Sequence, residues 1–333
     1  MALKTFKAML VKDTGDNRYT RQIVDKSVEE LPPGDVLVNV RYSSLNYKDA
    51  LSAIGNKGVT KKYPHTPGID AAGIVAESSV PEFSPGDEVI VTSYDLGMNT
   101  SGGFGQYIRV PAGWVVPLPG GLTLRESMIY GTAGFTAALS VFRLKESGIT
   151  PDRGDVLVSG ATGGVGSIAV SILSQIGYSV TAVNGISDKT AYLRKIGAKS
   201  VISIEAATDQ TGRPLLKERW AGSIDAVGGD ILVTTIKSTA HNGTVTCCGN
   251  IASPEMPLNV YPFILRGVRL IGIGSQNCPM PVRRKIWEKI AGEWKIVRPD
   301  PLTSEISLDE LDHQIEMMLQ RKRKGRTLVR MTE

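Results

Sequence analysis

Short apolar runs separated by turn residues occupy the first part of the chain, up to about residue 120. Runs of this length, bounded by proline, glycine and aspartate, are typical of β-strands. The turn signals include Pro32-Pro-Gly-Asp35 and Ser84-Pro-Gly-Asp87, where the chain is expected to reverse. The pattern predicts a compact, barrel-like β domain. Its expected strands are residues 6–11, 35–41, 69–76, 87–92 and 107–111.

The pattern changes at Thr123, which forms a capping-box signal with Glu126 at the start of a helical stretch. Strand-like and helix-like segments then alternate, which predicts a parallel, doubly wound sheet. Its expected strands are 155–159, 179–183, 200–204, 224–227, 244–248 and 268–273, with helices at 164–176 and 188–196. Helices expected at 282–294 and 308–319 and a strand at 327–330 return the chain to the first domain.

A glycine-rich turn joins the first of these strands to the next helix. It has the pattern A-x-G-x-x-G, formed by Ala161, Gly163 and Gly166, and Gly160 comes just before it. Glycines let the backbone approach a pyrophosphate, and the helix start at Gly164 and Val165 offers N–H groups to it. The strand–turn–helix context therefore predicts a dinucleotide site, with a purely structural turn as the alternative.

The end of the following strand bears on which dinucleotide would bind. Asn184 stands where an NAD site has an acid that bonds the adenosine ribose. No carboxylate would repel a 2′-phosphate there, and Ser187 and Lys189 follow nearby. The sequence therefore favours NADPH. The alternative is that Ser187 and Asp188 only cap the next helix and that Lys189 is solvated.

Composition narrows the class of protein. The chain has 333 residues, 41% hydrophobic and 21% charged, which is ordinary for a soluble globular protein of about two domains. Its net charge of +5 is small for a dedicated nucleic-acid binder. The three cysteines, an odd and clustered count, argue against a disulfide framework and for a reducing compartment. The sequence shows no signal-peptide pattern and no apolar run of about 18 residues. We expect a cytoplasmic protein.

The order of a β domain, an alternating domain and a short return resembles the medium-chain dehydrogenase/reductase superfamily. The stretches 43–51, 67–73 and 160–166 carry the resemblance. The chain is most similar to the zinc-free quinone oxidoreductase branch, specifically the YhdH/YhfP type that includes acrylyl-CoA reductases, through residues 131–136, 262–267 and 325–329. Asn46 and Ile69 stand where zinc-dependent members have a cysteine and a histidine, which implies that no metal is needed.

This resemblance implies a mixed α/β fold with two domains. A GroES-like β-rich catalytic domain would comprise residues 1–124 and 276–333. A Rossmann domain with a doubly wound parallel sheet would bind NADP over residues 125–275. The strand at 268–273 could pair with its mate in a symmetric homodimer, or it could be an ordinary edge strand.

The resemblance also implies which residues hold the nucleotide. They are Tyr47, the 163–166 loop, Asn184, Gly185, Ile186, Ser200, Asn250, Ile264, Ser275 and Arg321. Thr132 belongs to a patch of small residues, 131–136, within a helical pattern. Small residues would permit close approach of a flat nicotinamide, and tight helix packing is an equal alternative.

The expected chemistry is NADPH-dependent reduction of an activated C=C bond, in a short enoyl-CoA such as acrylyl-CoA or a related α,β-unsaturated carbonyl. Hydride attack at the β-carbon would produce an enolate that needs a hydrogen-bond donor and a proton. Asn46, Tyr47 and Asp49 are the candidates, although Asn46 and Asp49 could merely tie down a loop.

Two other functions stay open from the sequence. One is a general quinone or enone reductase. The other is an NADPH-binding redox-sensing or RNA-binding protein with little catalysis. The basic runs 283–285 and 321–326 could attract the phosphates of CoA, could touch nucleic acid, or could simply be solvated.

Overall fold

The computed structural model describes residues 4–185 and 189–331. The chain divides into two compact units. The first unit contains the chain up to Thr132, the segment Gln276–Lys285, and the chain from Thr303 onward. The second contains Ala133–Ser275 and Ile286–Leu302. The division therefore falls a little after the expected residue 124, and part of the returning segment belongs to the second unit.

The secondary structure elements follow one another along the described residues. The strands are β1 (Thr5–Asp13), β2 (Tyr19–Ser27), β3 (Val36–Ser44), β4 (Asp70–Ser78), β5 (Glu88–Thr92), β6 (Tyr107–Val110), β7 (Val115–Pro117), β8 (Val156–Val158), β9 (Val180–Asn184), β10 (Ser200–Ser203), β11 (Trp220–Asp225), β12 (Thr239–Cys247), β13 (Arg269–Gly272), β14 (Thr303–Ser307) and β15 (Arg326–Arg330). The helices are α1 (Tyr47–Ala53), α2 (Leu124–Glu146), α3 (Gly164–Gln175), α4 (Thr190–Lys195), α5 (Gly229–Lys237), α6 (Tyr261–Arg266), α7 (Met280–Ala291) and α8 (Leu311–Leu319).

The first unit is built on a seven-stranded sheet in the order β14-β15-β3-β4-β5-β7, with β6 paired to β3. A separate hairpin joins β1 and β2. The predicted strands of this part are confirmed. Strand β2 has the sequence YTRQIVDKS and is only partly buried. Its many polar residues interrupt the alternation of apolar and polar positions that marks a strand, so the sequence did not reveal it.

The second unit contains a six-stranded parallel sheet in the order β10-β9-β8-β11-β12-β13. Starting from β8, the chain adds β9 and β10 on one side of the sheet and then β11, β12 and β13 on the other side. The strand order therefore reverses between β8 and β11. In such sheets ligands bind outside the carboxyl ends of the strands at the reversal. The predicted mixed α/β fold with a doubly wound sheet is thus confirmed. Over the described residues, no helix is long and apolar enough to cross a membrane.

Candidate active site

The long helix α2 is interrupted at Gly131, which has φ 50° and ψ −154°. A Cβ at this position would lie 2.4 Å from Asp70 Oδ2 and 2.5 Å from Ser44 Oγ. Any side chain would collide with the Asp70 carboxylate, and the positive φ also favours glycine. The helical pattern expected over residues 131–136 is confirmed from Thr132 onward, and the interruption is confined to Gly131.

The carboxylate of Asp70 is fully buried and is surrounded by donors. Its oxygens accept from Thr132 N at 2.9 Å, Thr132 Oγ1 at 2.6 Å, Ser44 Oγ at 2.6 Å and Asn46 Nδ2 at 2.7 Å. The break at Gly131 is what turns the Thr132 amide toward this carboxylate. A buried anion is tolerated when hydrogen bonds replace its hydration in this way.

Arg326 supplies the compensating charge. Its Nη2 lies 3.7 Å from Asp70 Oδ2 and donates to Ser44 Oγ at 2.7 Å. Its other groups donate to Ile129 O at 3.0 Å and Asn46 Oδ1 at 3.1 Å. Burial lowers the pKa of Arg326, and the charge of Asp70 opposes that shift.

Two of the basic residues assigned to exposed runs are in fact interior. Arg326 is buried in the cluster around Asp70, and Arg283 is fully buried as well. Arg283 donates to Thr92 O and to Gln276 O, both at 3.1 Å. The expectation that all of 283–285 and 321–326 face CoA phosphates or solvent is therefore wrong for these two guanidinium groups. Arg284, Lys285, Arg321 and Lys322 remain exposed.

The expected loop at 46–49 is instead the start of helix α1. Asn46 is its N-cap, and Asp49 closes a capping box by accepting from Asn46 N at 2.8 Å. Asp49 also accepts from Ile69 N at 2.8 Å. Burial, followed by the charge of Asp70, raises the pKa of Asp49 to about 7. Asn46 and Asp49 thus hold the site together, whereas Tyr47 is 38% exposed on the same turn.

In the second unit, the glycine-rich turn between β8 and α3 is tightly packed. Gly160 has φ 60°, and a Cβ on Gly166 would lie 2.3 Å from the Gly160 carbonyl oxygen. Helix α3 begins at Gly164, after the N-cap residue Gly163. The N–H groups of a first helical turn have no intrahelical acceptor and attract anions. Gly163 is exposed and Gly164 is partly exposed at this turn, whereas Gly166 is buried against the Gly160 carbonyl.

A buried carboxylate that the sequence did not reveal joins the two loops at the reversal point. Asp225, the last residue of β11, accepts from Ser159 Oγ at 2.7 Å and from Gly228 N at 2.8 Å. The Ser159 hydroxyl in turn accepts from Ala226 N at 3.0 Å. These bonds fix the loop after β8 against the loop after β11. The signal in the sequence was an aspartate directly after the buried run Gly222–Ile224.

The ribose end of the predicted nucleotide site is partly described. Asn184 ends β9 at the carboxyl edge of the sheet, and its Nδ2 donates to Thr190 Oγ1 at 3.3 Å. Lys189 precedes α4 and is buried, so the alternative that it is solvated is wrong. Gly185 is exposed. Ile186, Ser187 and Asp188 lie outside the described residues.

The remaining predicted residues are not all brought to this edge. Ser200 pairs with Thr181, whereas Ser203 pairs with Asn184; three strand positions, roughly 10 Å, thus separate Ser200 from the carboxyl edge. Asn250 follows β12, and Ser275 follows β13 and accepts from Thr136 Oγ1 at 2.8 Å. The last two predicted positions are exposed: Ile264 on α6, and Arg321 after α8 in the first unit.

The two positions that the resemblance matches to metal ligands hold one hydrogen-bonded side chain and one apolar side chain. Asn46 is held by Asp70, and Ile69 is a core residue. Within residues 4–185 and 189–331, no three His, Cys, Asp or Glu side chains are grouped so that they could hold a metal ion. Cys247 ends β12 and Cys248 follows it; burial raises the pKa of the Cys248 thiol to about 12.

Two family models match this chain. An alcohol dehydrogenase GroES-like domain matches residues 32–120, and a zinc-binding dehydrogenase domain matches residues 164–291. The Bacillus subtilis protein YhfP is 47% identical over 98% of this chain and 99% of its own length. The chain belongs to the medium-chain dehydrogenase/reductase superfamily. The resemblance inferred from the sequence is thereby confirmed.

Other members extend this comparison. The acrylyl-CoA reductase AcuI of Ruegeria pomeroyi is 40% identical over 97% of this chain and 98% of its own length. The YhdH oxidoreductase of Salmonella enterica, solved in complex with NADP, has a TM-score of 0.95 and 38% identity, covering 98% of this chain and all of that one. The structure of YhfP has NAD bound, with a TM-score of 0.96 and 44% identity over 98% of this chain and 99% of that one.

The pair of Asp70 and Arg326 gives the first prediction. Arg326→Met should lower the free energy of unfolding by about 3–5 kcal/mol, because it leaves a carboxylate buried without its cation. Arg125→Met is the matched control, since Arg125 pairs with Glu305 at a partly exposed site, where a pair contributes about 1 kcal/mol or less. Urea unfolding measures both losses, and equal losses would contradict the role of the buried pair.

Proposed function

We propose that this chain is an NADPH-dependent oxidoreductase that reduces the activated C=C bond of a short enoyl-CoA, such as acrylyl-CoA, or of a related α,β-unsaturated carbonyl. The observation that carries the proposal is the glycine turn of Gly160 and Gly166 before α3, at the reversal point of the parallel sheet. Similarity to the acrylyl-CoA reductase AcuI over nearly the whole of both chains supports the substrate class.

In this proposal the second unit holds the nucleotide. Backbone N–H groups of Gly164, Val165 and Gly166 would bind the pyrophosphate, with Ala161 and Gly163 shaping the turn. Asn184, Gly185 and Lys189 would contact the adenosine ribose and its phosphate. Asn250 and Ser275 also lie at the carboxyl edge of the sheet. A reduced nicotinamide supplies a hydride when it is bound.

The first unit would carry the polar chemistry. Asp70, Asn46 and Asp49 are each held by several hydrogen bonds, so they maintain the shape of the site. Thr132, fixed by Asp70 through both its amide and its hydroxyl, would contact the nicotinamide. Tyr47, exposed on the first turn of α1, is the candidate to orient the nicotinamide or to provide a proton.

The proposed reaction does not depend on zinc. By the family resemblance, Asn46 and Ile69 match the positions of two metal ligands in zinc-dependent members of the superfamily, and neither is a residue type that binds zinc well. Side-chain and backbone donors would stabilise the developing negative charge instead. Treatment with a chelator should therefore leave the rate of NADPH oxidation unchanged.

The choice between the two nicotinamide cofactors is the second prediction. NADPH should bind at least tenfold more tightly than NADH, about 1.4 kcal/mol, because Asn184 places no carboxylate at the end of β9. Asn184→Asp should weaken NADPH binding by charge repulsion and leave NADH binding unchanged. Calorimetric titration of both proteins with both cofactors measures this, and equal wild-type affinities would refute the preference.

The substrate is the third prediction. Acrylyl-CoA should show a much larger kcat/KM than a simple acrylic ester, because binding energy from the CoA handle can be used in the transition state. The advantage should shrink as salt rises, since exposed Arg284 and Lys285 would be screened from the CoA phosphates. NADPH oxidation with acrylyl-CoA, the ester and a quinone tests this; equal kcat/KM values at low salt would exclude the CoA specificity.

The oligomeric state is the fourth prediction. Strand β13 is the edge of its sheet and is only partly buried, and the neighbouring helix α6 exposes Ile264 and Leu265. Pairing of β13 with the same strand of a second copy would give its unpaired backbone N–H and C=O groups hydrogen-bond partners and would cover this apolar surface. Sedimentation should give twice the 35.7 kDa chain mass. Leu265→Asp should produce monomers, and a monomeric wild type would rule the dimer out.

A further inference from the structure

Reduction of an unsaturated carbonyl requires a donor for the oxygen that becomes an enolate. The obvious polar groups of the first unit are already engaged with one another. Both hydrogens of the Asn46 amide are used, toward Asp70 Oδ2 at 2.7 Å and Ser44 O at 3.1 Å. The guanidinium of Arg326 is buried and donates to four protein oxygens. Neither group can reach a substrate without breaking the cluster.

Lys48 is a different kind of residue on the same turn. It lies between exposed Tyr47 and buried Asp49, and its side chain is half-buried. Its Nζ donates to Gln276 Oε1 at 2.8 Å and lies 3.9 Å from Met98 Sδ. Among the described residues, Lys48 forms no ion pair with a carboxylate. An ammonium has three N–H groups, so at least one is left for a ligand.

Gln276, which accepts the hydrogen bond from the Lys48 ammonium, is itself held in place. The backbone carbonyl of Gln276 accepts from Tyr94 N and from Arg283 Nη2, both at 3.1 Å. The Gln276 side chain therefore offers its oxygen from an anchored residue. Donors that are oriented before the reaction stabilise developing charge most effectively, because nothing must reorganise.

The electrostatic environment of Lys48 suits a group that receives an anion. Burial lowers the pKa of Lys48, and the charges of Asp49 and Asp70 act in the opposite direction. The Lys48 ammonium is half-buried in contact with an amide oxygen and a thioether. Its desolvation is unfavourable, and no direct ion pair in the described part of the chain offsets it. That cost is recovered when an anionic oxygen comes within hydrogen-bond distance.

We propose that Lys48 is a catalytic residue whose ammonium donates a hydrogen bond to the carbonyl oxygen of the unsaturated substrate; this rests on the proposed function. The substrate's β-carbon gains the hydride as a new C–H bond, and its π electrons move through the α-carbon to that oxygen. NADPH is oxidised to NADP⁺, and the enolate forms beside the ammonium. A proton, taken from solvent directly or through Tyr47, then completes the α-carbon, the carbonyl reforms, and Lys48 keeps its own proton.

The test compares Lys48→Met, which keeps the length of the side chain, with Lys48→Arg and with Lys62→Met, an exposed lysine of the same unit. With acrylyl-CoA, kcat for Lys48→Met should fall about 100- to 1000-fold, the effect of losing one oxyanion donor. Lys48→Arg should recover part of that loss, and Lys62→Met should match the wild type. NADPH affinity by fluorescence titration and the melting temperature should stay unchanged in all three variants.

Each outcome separates the inference from the function on which it rests. If the wild type reduces acrylyl-CoA and Lys48→Met retains kcat within threefold, the role of Lys48 is overturned while the proposed function stands. A loss in Lys48→Met that is matched by weaker NADPH binding or by a lower melting temperature also overturns it, since Lys48 would then serve binding or folding. If the wild type reduces no unsaturated carbonyl, the proposed function fails first.

Discussion

The buried carboxylate of Asp70 holds several segments of the first unit together through its hydrogen bonds and its ion pair. Ser44, Asn46 and Thr132 donate hydrogen bonds to it, and the guanidinium of Arg326 lies beside it. These partners come from three separate parts of the chain: the segment 44–46, Thr132 and Arg326. The break in α2, the start of α1 and the return of β15 to the sheet are thus positioned by one anion.

The charge balance within this cluster extends to Asp49. Two carboxylates and one guanidinium lie close together, and burial with the charge of Asp70 raises the pKa of Asp49 to about 7. Below that pH Asp49 keeps its proton, and the three groups sum to zero charge. Above it the cluster carries an excess negative charge, which Lys48 on the same turn partly offsets. The polar residues of α1 therefore act as one electrostatic unit.

Local patterns were sufficient to predict the mixed α/β fold and the glycine-rich turn between β8 and α3. The turn from Gly160 to Gly166 is contiguous, and its strand and helix neighbours confirm its context within a few residues. The sequence could not show why Gly131 must be glycine, because the atom that excludes a side chain belongs to Asp70, far away along the chain. It also placed Arg283 and Arg326 in basic surface runs, where counting charges cannot reveal burial.

A signal for the missed residues was present in hydrophobic patterning. Asp70 opens strand β4 directly before the apolar run 71–76, and Arg326 opens β15, whose next three residues are buried. A charge at such a place is costly unless a partner of opposite sign is buried with it, so two of them in one sheet can be expected to meet. This rule does not say which charges pair, because the strand order depends on the whole sheet. Strands β15 and β4 are not adjacent but lie on either side of β3. Sequence patterning can therefore identify the ionic centre of such a unit, and the topology decides which charges form it.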